Sequence, residues 1–152
     1  MSPEPRRARP EDAAAVAALT RRAYAKHVPR IGREPQPMTA DYAQMIAAHE
    51  VWLIDGPGGA TATLVLMIEP DHVLIWSIAV DPAAQGSGLA RRLMALAESE
   101  ACRRGLSELR LFTNEKFTEN IAFYTRRGYR ETERRPYKGG HLVFMRKSIQ
   151  CP

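Results

Sequence analysis

One stretch near the middle of the chain restricts the fold more than any other. Residues 72–80 are apolar and β-branched almost without a break, as expected for a strand that is buried in a sheet. A loop with alternating Gly86 and Gly88 follows, and an amphipathic helix is predicted over residues 87–104. Residues 109–113 form the next predicted strand. Strand, helix and strand in this order predict a parallel pair inside a larger sheet.

The rest of the chain supplies further strands and the helices that cover the sheet. Strands are predicted at residues 5–9, 51–55, 60–69, 129–135 and 141–147, and helices at residues 12–26, 39–50 and 118–128, with Thr39 and Thr118 as N-caps. The segment 27–38 contains Pro29, Pro35 and Pro37 and is predicted to be a loop. The order β-α-α-β-β-β-α-β-α-β-β predicts a single α/β (α+β) domain over residues 1–152. Its mixed, twisted sheet of about 6–7 strands is expected to be flanked by helices.

Composition excludes several classes of protein. With 45% hydrophobic and 26% charged residues, the 152-residue chain is typical of one globular domain. No apolar stretch approaches the ~20 residues of a membrane span, and no apolar segment follows the N-terminus, so we expect neither a membrane partner nor a secretory signal. Cys102 and Cys151 lie in no motif and are too few for a disulfide framework. We therefore expect a cytoplasmic protein.

Positive charge is concentrated in the last quarter of the chain. The formal net charge is +5, and residues 126–147 carry eight basic residues against Glu131 and Glu133. Such a surface attracts nucleic acid, an acidic substrate or a phosphorylated cofactor. More commonly, an excess of this kind is only a solvated face of a basic protein. No nucleic-acid-binding motif accompanies it, so we expect no nucleic-acid partner.

The loop before the central helix has the features of an anion site. Gly86 and Gly88 lack a Cβ, so their backbone N–H groups can approach a ligand closely. The helix N-terminus adds unpaired N–H donors and partial positive charge, and these groups together favour phosphate or pyrophosphate. The chain lacks the Gly-Lys-Ser/Thr of a P-loop, and Gln85 stands where a nucleophile elbow needs glycine. About seventy residues precede the strand, unlike in a dinucleotide-binding fold.

Two motifs resemble those of one enzyme family. Val80-Asp81-Pro82, followed by Gln85-Gly86-Ser87-Gly88-Leu89-Ala90, closely resembles the acetyl-CoA signature of the GNAT acetyltransferase superfamily. The later run Asn120-Ile121-Ala122-Phe123-Tyr124-Thr125-Arg126-Arg127-Gly128-Tyr129 is similar to the family's second mark, in which an aromatic–tyrosine pair precedes Gly-Phe/Tyr. The resemblance is specific over residues 73–129, and the predicted order of elements agrees with the family's fold.

The resemblance implies that acetyl-CoA binds as a co-substrate between strands 72–80 and 109–113, which splay apart in the family. The pantetheine arm is expected along the central strand, and the pyrophosphate on the N–H groups of the loop. The family often has an asparagine where this chain has Phe117, so Asn120 is the favoured substitute and Asn114 the second. The implied cofactor-binding residues are Ile78, Ala79, Val80, Gln85, Gly86, Ser87, Gly88, Leu89, Ala90, Asn120 and Asn114.

Tyr124 matches the family's tyrosine that faces the cofactor sulfur, and it is the implied catalytic acid. Phe117, Ile121 and Tyr124 are spaced i, i+4 and i+7, which predicts that Tyr124 points into the protein. An ordinary core tyrosine is the alternative.

The implied activity is N-acetyl transfer, in which a primary amine directly attacks the thioester of acetyl-CoA. The sequence does not specify the amine acceptor, which is a small molecule or a peptide. The general base stays open between Glu69, His72 and water. No metal is expected, because the four histidines lack ligand spacing. The main alternative is a non-catalytic acyl-CoA-binding or regulatory module, and both a monomer and a homodimer are compatible with the sequence.

Overall fold

The computed structural model describes residues 3–152. Its strands are β1 (Arg6–Arg7), β2 (Glu50–Gly56), β3 (Gly59–Ile68), β4 (Val73–Val80), β5 (Glu108–Asn114), β6 (Arg130–Tyr137) and β7 (Gly140–Ser148). Its α-helices are α1 (Ala13–Tyr24), α2 (Val28–Ile31), α3 (Gln36–Thr39), α4 (Tyr42–Ala48), α5 (Leu89–Arg103) and α6 (Thr118–Arg126). The predicted α/β fold with a mixed sheet flanked by helices is therefore confirmed.

The seven strands form one sheet in the order β1-β2-β3-β4-β5-β7-β6. The pair β4–β5 is parallel, as expected for two strands joined through α5, and the other pairs are antiparallel. Short turns join β2 to β3 and β6 to β7. These two hairpins come before and after the unit β4-α5-β5 in the chain. The sheet is therefore mixed, with its one parallel pair in the middle.

Two apolar clusters hold the helices against the sheet. In the larger cluster, Leu93, Ala97 and Ala101 of α5 are fully buried together with residues of β3, β4, β5 and β7. In the smaller cluster, Val16 and Leu19 of α1 pack with residues of α4, β2 and β3. The apolar stripe predicted for the central helix is thus the surface that fixes α5, and with it the loop before α5, to the sheet.

The loop predicted for residues 27–38 is wrong, because this segment contains the short helices α2 and α3. Pro29 and Pro37 occupy first-turn positions, where the missing N–H costs nothing, Pro35 is the N-cap residue of α3, and Gly32 ends α2 at a φ of 73°. The predicted caps differ as well. Asp41 rather than Thr39 caps α4, since its carboxylate accepts a hydrogen bond from Gln44 N at 3.2 Å. Thr118 is the first residue of α6 and not its cap.

Cys102 and Cys151 form a disulfide that joins α5 to the C-terminal tail. The tail passes the end of that helix because Ile149 N donates a hydrogen bond to Ser107 O at 2.9 Å. Neither cysteine lies in a motif, and the 49-residue separation gives no local sign of the pair.

Within residues 3–152, no helix is both long enough and apolar enough to cross a bilayer.

Candidate active site

The two parallel strands of the sheet separate halfway along their length. β4 pairs with β5 at Val73–Leu109, Leu74–Arg110 and Ile75–Leu111, and β5 continues beside β7 alone. A register shift against β3 makes Trp76 a bulge at the point where the separation begins. The second half of β4 therefore has an open edge in the middle of the sheet.

This open edge presents backbone groups of Ile78 and Val80. Asp81 N donates to Thr61 O at 2.8 Å, and alternate residues of an antiparallel pair bond to the same neighbour. Ile78 and Val80 consequently turn their N–H and C=O groups away from β3 and toward the gap. Both carbonyls accept hydrogen bonds from side chains, that of Ile78 from the Tyr24 hydroxyl at 3.3 Å and that of Val80 from Gln85 Nε2 at 3.4 Å.

The loop between β4 and α5 turns back on itself at its two glycines. Gly86 and Gly88 have φ values of 83° and 86°, a left-handed backbone that favours glycine. The first main-chain bond of α5 runs from Arg92 N to Gly88 O at 3.1 Å. The N–H groups before Arg92 therefore have no partner in the helix, as an anion site at this end of α5 requires.

Two cavities lie on either side of the gap and meet inside it. The loop cavity, of about 410 Å³, is bounded by the end of α1, the open edge of β4, residues 84–91 and α6. The hairpin cavity, of about 80 Å³, lies under residues 31–37 and beside Tyr137 and Leu142 of the β6–β7 hairpin. Four residues line both cavities, and we call them the junction: Tyr24, Ile78, Asn120 and Tyr124.

The structure brings most of the predicted site residues together. Ten of the twelve line the loop cavity: Ile78, Ala79, Val80, Gln85, Gly86, Gly88, Leu89, Ala90, Asn120 and Tyr124. Ser87 belongs to the same loop, but its hydroxyl donates to Ala84 O. Asn114 lines only the hairpin cavity, and its Oδ1 accepts from Lys116 N at 2.9 Å. Of the two asparagines, Asn120 is thus the one at the junction.

The loop cavity is bordered by cations that lack partners. Lys26, Arg91, Arg126 and Arg127 line it, and none of the four forms an ion pair with another residue of the described chain. Its one carboxylate, Glu119, is already paired with Arg30. Burial, and next the charges of Arg91 and Arg126, hold the pKa of Arg127 below its usual value. The cavity therefore has a net positive wall beside the loop.

A buried and a half-buried tyrosine, Tyr124 and Tyr24, stand at the junction. Tyr124 is 7% exposed, and burial raises the pKa of its hydroxyl well above the usual value, with further contributions from Tyr24 and Tyr129. Burial also raises the pKa of Tyr24. Both hydroxyls consequently stay protonated at neutral pH. Tyr24 was not singled out from the sequence, because no local pattern distinguishes a core tyrosine from one that lines a cavity.

His27 is a further cavity residue that the sequence analysis did not single out. It is 3% exposed, and its ring stacks on that of Phe117 with centroids 4.0 Å apart. Burial, followed by the charges of Lys26 and Arg30, lowers the pKa of His27 to about 4. The imidazole is therefore neutral near pH 7 and adds no charge to the loop cavity.

Glu69 and His72 lie away from the site. They flank the turn into β4, at the end where β4 and β5 are still paired, and neither lines the loop cavity or the hairpin cavity. His72 instead contacts Asp71, with 2.7 Å between Nδ1 and Oδ1. Sequence proximity to the central strand was misleading, because the gap opens at the opposite end of that strand. Within residues 3–152, no group of three or more histidine, cysteine, aspartate or glutamate side chains could hold a metal ion.

Comparisons with known proteins agree with this geometry. Residues 16–129 match the model of the acetyltransferase (GNAT) family. A GCN5-related N-acetyltransferase from Rhodopseudomonas palustris superposes with a TM-score of 0.81 at 22% identity, over 98% of this chain and 97% of that one. The ribosomal-protein-S18-alanine N-acetyltransferase from Escherichia coli gives 0.79 at 23% identity, over 100% and 96%.

A third similar structure contains a ligand. The PaiA N-acetyltransferase from Thermoplasma acidophilum, in complex with coenzyme A, superposes with a TM-score of 0.82 at 16% identity, over 98% of this chain and 100% of that chain. At identities this low, these superpositions establish a shared fold alone. A comparison with curated protein sequences gives no match.

Proposed function

The chain belongs to the acetyltransferase (GNAT) family, and from this membership and its joined cavities we infer that it transfers the acetyl group of acetyl-CoA to a primary amine. The observation that carries the proposal is the junction, where one cavity with an anion-binding loop meets a second cavity across the gap between β4 and β5. Two substrates that enter from opposite sides can meet only there.

The loop cavity fits the charged half of acetyl-CoA. The pyrophosphate and the 3′-phosphate of the molecule carry about four negative charges near neutral pH. The free N–H groups of residues 86–91 suit the pyrophosphate, and the four unpaired cations suit the total charge. The N–H groups of Ile78 and Val80, on the open edge of β4, are placed to bond the amides of the pantetheine arm as an added strand does.

The residues of the junction suit direct transfer. Acetyl-CoA supplies an activated thioester, whose carbonyl carbon forms a bond to the amine nitrogen while the carbon–sulfur bond breaks. Backbone N–H groups at the open edge of β4 can polarise the carbonyl oxygen. Tyr124, whose hydroxyl is protonated at neutral pH, is placed to give its proton to the departing thiolate.

The amine must lose a proton, and the cavities offer no free carboxylate to take it. Glu119 is paired with Arg30, and Glu34 with Arg21 at 2.8 Å. Glu69 and His72 lie outside both cavities. We therefore assign the proton to water, which leaves the amine to react in its neutral form. Of the three bases that the sequence left open, the proposal thus takes water.

We also propose a cytoplasmic location for the reaction. A single disulfide is far fewer than small secreted domains carry, and it therefore does not by itself indicate an oxidising compartment.

Acetyl-CoA should stabilise the fold against heat, whereas NADH at the same concentration should not. A ligand that binds only the native state adds about 2.7 kcal/mol to the unfolding free energy when present at 100 times its Kd. For a domain of this size, that gain raises Tm by several degrees. A thermal melt with each ligand measures the difference. Equal rises with both nucleotides, or none with either, would remove the basis for the proposed co-substrate.

A further inference from the structure

The hairpin cavity is the remaining space that reaches the junction, and its size limits what can enter. Its volume of about 80 Å³ compares with 410 Å³ for the loop cavity. Residues 31–37 cover it from one side, and Tyr137 and Leu142 of the hairpin close another. If the proposed function is right, this is the path of the acceptor, which must then be small or must present a narrow end.

The walls of the hairpin cavity are mainly apolar. Seven aliphatic or proline residues supply part of the lining, and six aromatic residues supply a further part: Tyr24, Trp76, Phe112, Phe117, Tyr124 and Tyr137. Contact with such walls removes apolar ligand surface from water and is favourable by about 25 cal/mol per Å². A polar acceptor body gains nothing comparable.

The hairpin cavity offers no free counter-ion to a second cation. Arg33 and Glu34 are its only charged lining residues in the part of the chain that the structure describes. Glu34 is paired with Arg21, which lies outside the lining, whereas Arg33 has no carboxylate partner. The Arg33 guanidinium donates to Lys138 O at 3.1 Å and lies 5.5 Å from the centroid of the Tyr137 ring. The lining is therefore neutral overall, and its one carboxylate is already engaged.

The inner end of the cavity offers uncharged hydrogen-bond acceptors. Ser77 is 3% exposed, and its Oγ is buried without a hydrogen-bond partner. Ser77 lines the hairpin cavity, as do the junction residues Tyr24 and Asn120. A neutral amine can be satisfied by such groups. A desolvated ammonium lacks a counter-ion there, so burial favours loss of its proton.

We infer that the acceptor is a small primary amine with an apolar body and no second positive charge, held by the hairpin cavity with its nitrogen at Ser77 and the junction. The inference rests on the proposed function, and it assigns Ser77 as a positioning residue for the amine. It excludes polyamines, whose further ammonium groups need a free carboxylate, because Glu34, the one carboxylate of the lining, is paired with Arg21.

A matched pair of amines tests the inference on the full chain. n-Butylamine and 1,4-diaminobutane differ by one terminal ammonium group, so steady-state kcat/KM for each isolates the effect of that charge. We expect n-butylamine to exceed the diamine by about 100-fold or more, because a site that leaves a buried polar group unpaired discriminates strongly. 2-Phenylethylamine should do at least as well as n-butylamine.

Two results would overturn the inference. One is a diamine that reacts as well as n-butylamine. The other is failure of both monoamines while a peptide N-terminus or an acidic amino acid is acetylated. In each case acetyl transfer itself stands. Failure of every amine class removes the proposed function together with the inference, so the two kinds of failure are distinct.

A gain-of-function variant locates the effect in the hairpin cavity. Ile31 lines this cavity and is only half-buried, so Ile31→Glu adds a carboxylate to the cavity without disturbing the core. We expect it to raise kcat/KM for 1,4-diaminobutane relative to n-butylamine by about 10-fold or more. Ile31→Gln has the same shape without the charge and should keep the wild-type order of the two amines. An unchanged ratio in Ile31→Glu would show that the acceptor does not pass this wall.

Discussion

Replacing Tyr124 with phenylalanine should lower kcat by about 10²–10⁴-fold, the usual contribution of a general acid. The affinity for acetyl-CoA should change little, because the change removes one hydroxyl and leaves the loop and its cations in place. The fold should also be kept. The ring of Tyr124 lies 5.5 Å from that of Phe123 and 6.0 Å from that of Tyr129, and phenylalanine retains both contacts.

Tyr129→Phe is the matched control for this experiment. Tyr129 is also buried, at 1% exposure, but it lines neither cavity, and its hydroxyl has no hydrogen-bond partner. Its loss should leave kcat unchanged and stability equal or higher, because no hydrogen bond is broken. If Tyr124→Phe behaves like this control and keeps full turnover, Tyr124 is a core residue and another group supplies the proton.

Gly88→Asp should abolish the stabilisation by acetyl-CoA. An added Cβ at Gly88 meets nothing closer than Arg91 Nη2, at 3.9 Å, so the side chain fits. Its carboxylate then lies beside Arg91 and at the helix N-terminus, where it repels the pyrophosphate and neutralises a cation of the wall. A thermal melt with and without acetyl-CoA measures the loss.

The backbone strain of this variant needs its own control. Gly88 has a φ of 86°, a conformation that costs a residue with a Cβ about 1–2 kcal/mol. Gly139→Asp introduces the same side chain at a φ of 81°, in the β6–β7 turn and outside both cavities. It should show similar strain and the full rise in Tm with acetyl-CoA. Near-normal binding by folded Gly88→Asp would mean that the glycines serve only as a hinge.

The sequence predicts the sheet and its order of main elements because the signals for them are strong and local. The apolar run of β4 extends over more than two strand repeats, and the helical period of α5 extends over more than two turns. Several neighbouring residues therefore support each prediction. The prediction for the segment containing α2 and α3 is wrong for a local reason too. Proline is read as a breaker, yet Pro29 and Pro37 sit in first turns, where proline is favourable.

The same difference between local and long-range signals decides which residues of the candidate site could be predicted. Gly86 and Gly88 are predicted because their role belongs to the backbone of one loop. Tyr24, His27 and the four cations reach the loop cavity from separate helices, and only the packing of α1 and α6 around β4 brings them together. The prediction that Glu69 or His72 lies near the site is wrong, because the position where β4 leaves β5 depends on the bulge at Trp76. No sequence spacing shows this bulge.

Product stoichiometry tests acetyl transfer most directly. The full chain is incubated with acetyl-CoA and, in separate reactions, with n-butylamine, 2-phenylethylamine, 1,4-diaminobutane or a short peptide, and also without amine. CoA thiol and acetylated amine are then quantified by mass spectrometry. Direct transfer predicts one thiol per amide, negligible thiol without amine, and no acetyl group on the protein. Tight binding of acetyl-CoA with no amide from any amine would contradict the account and identify a non-catalytic acyl-CoA-binding module.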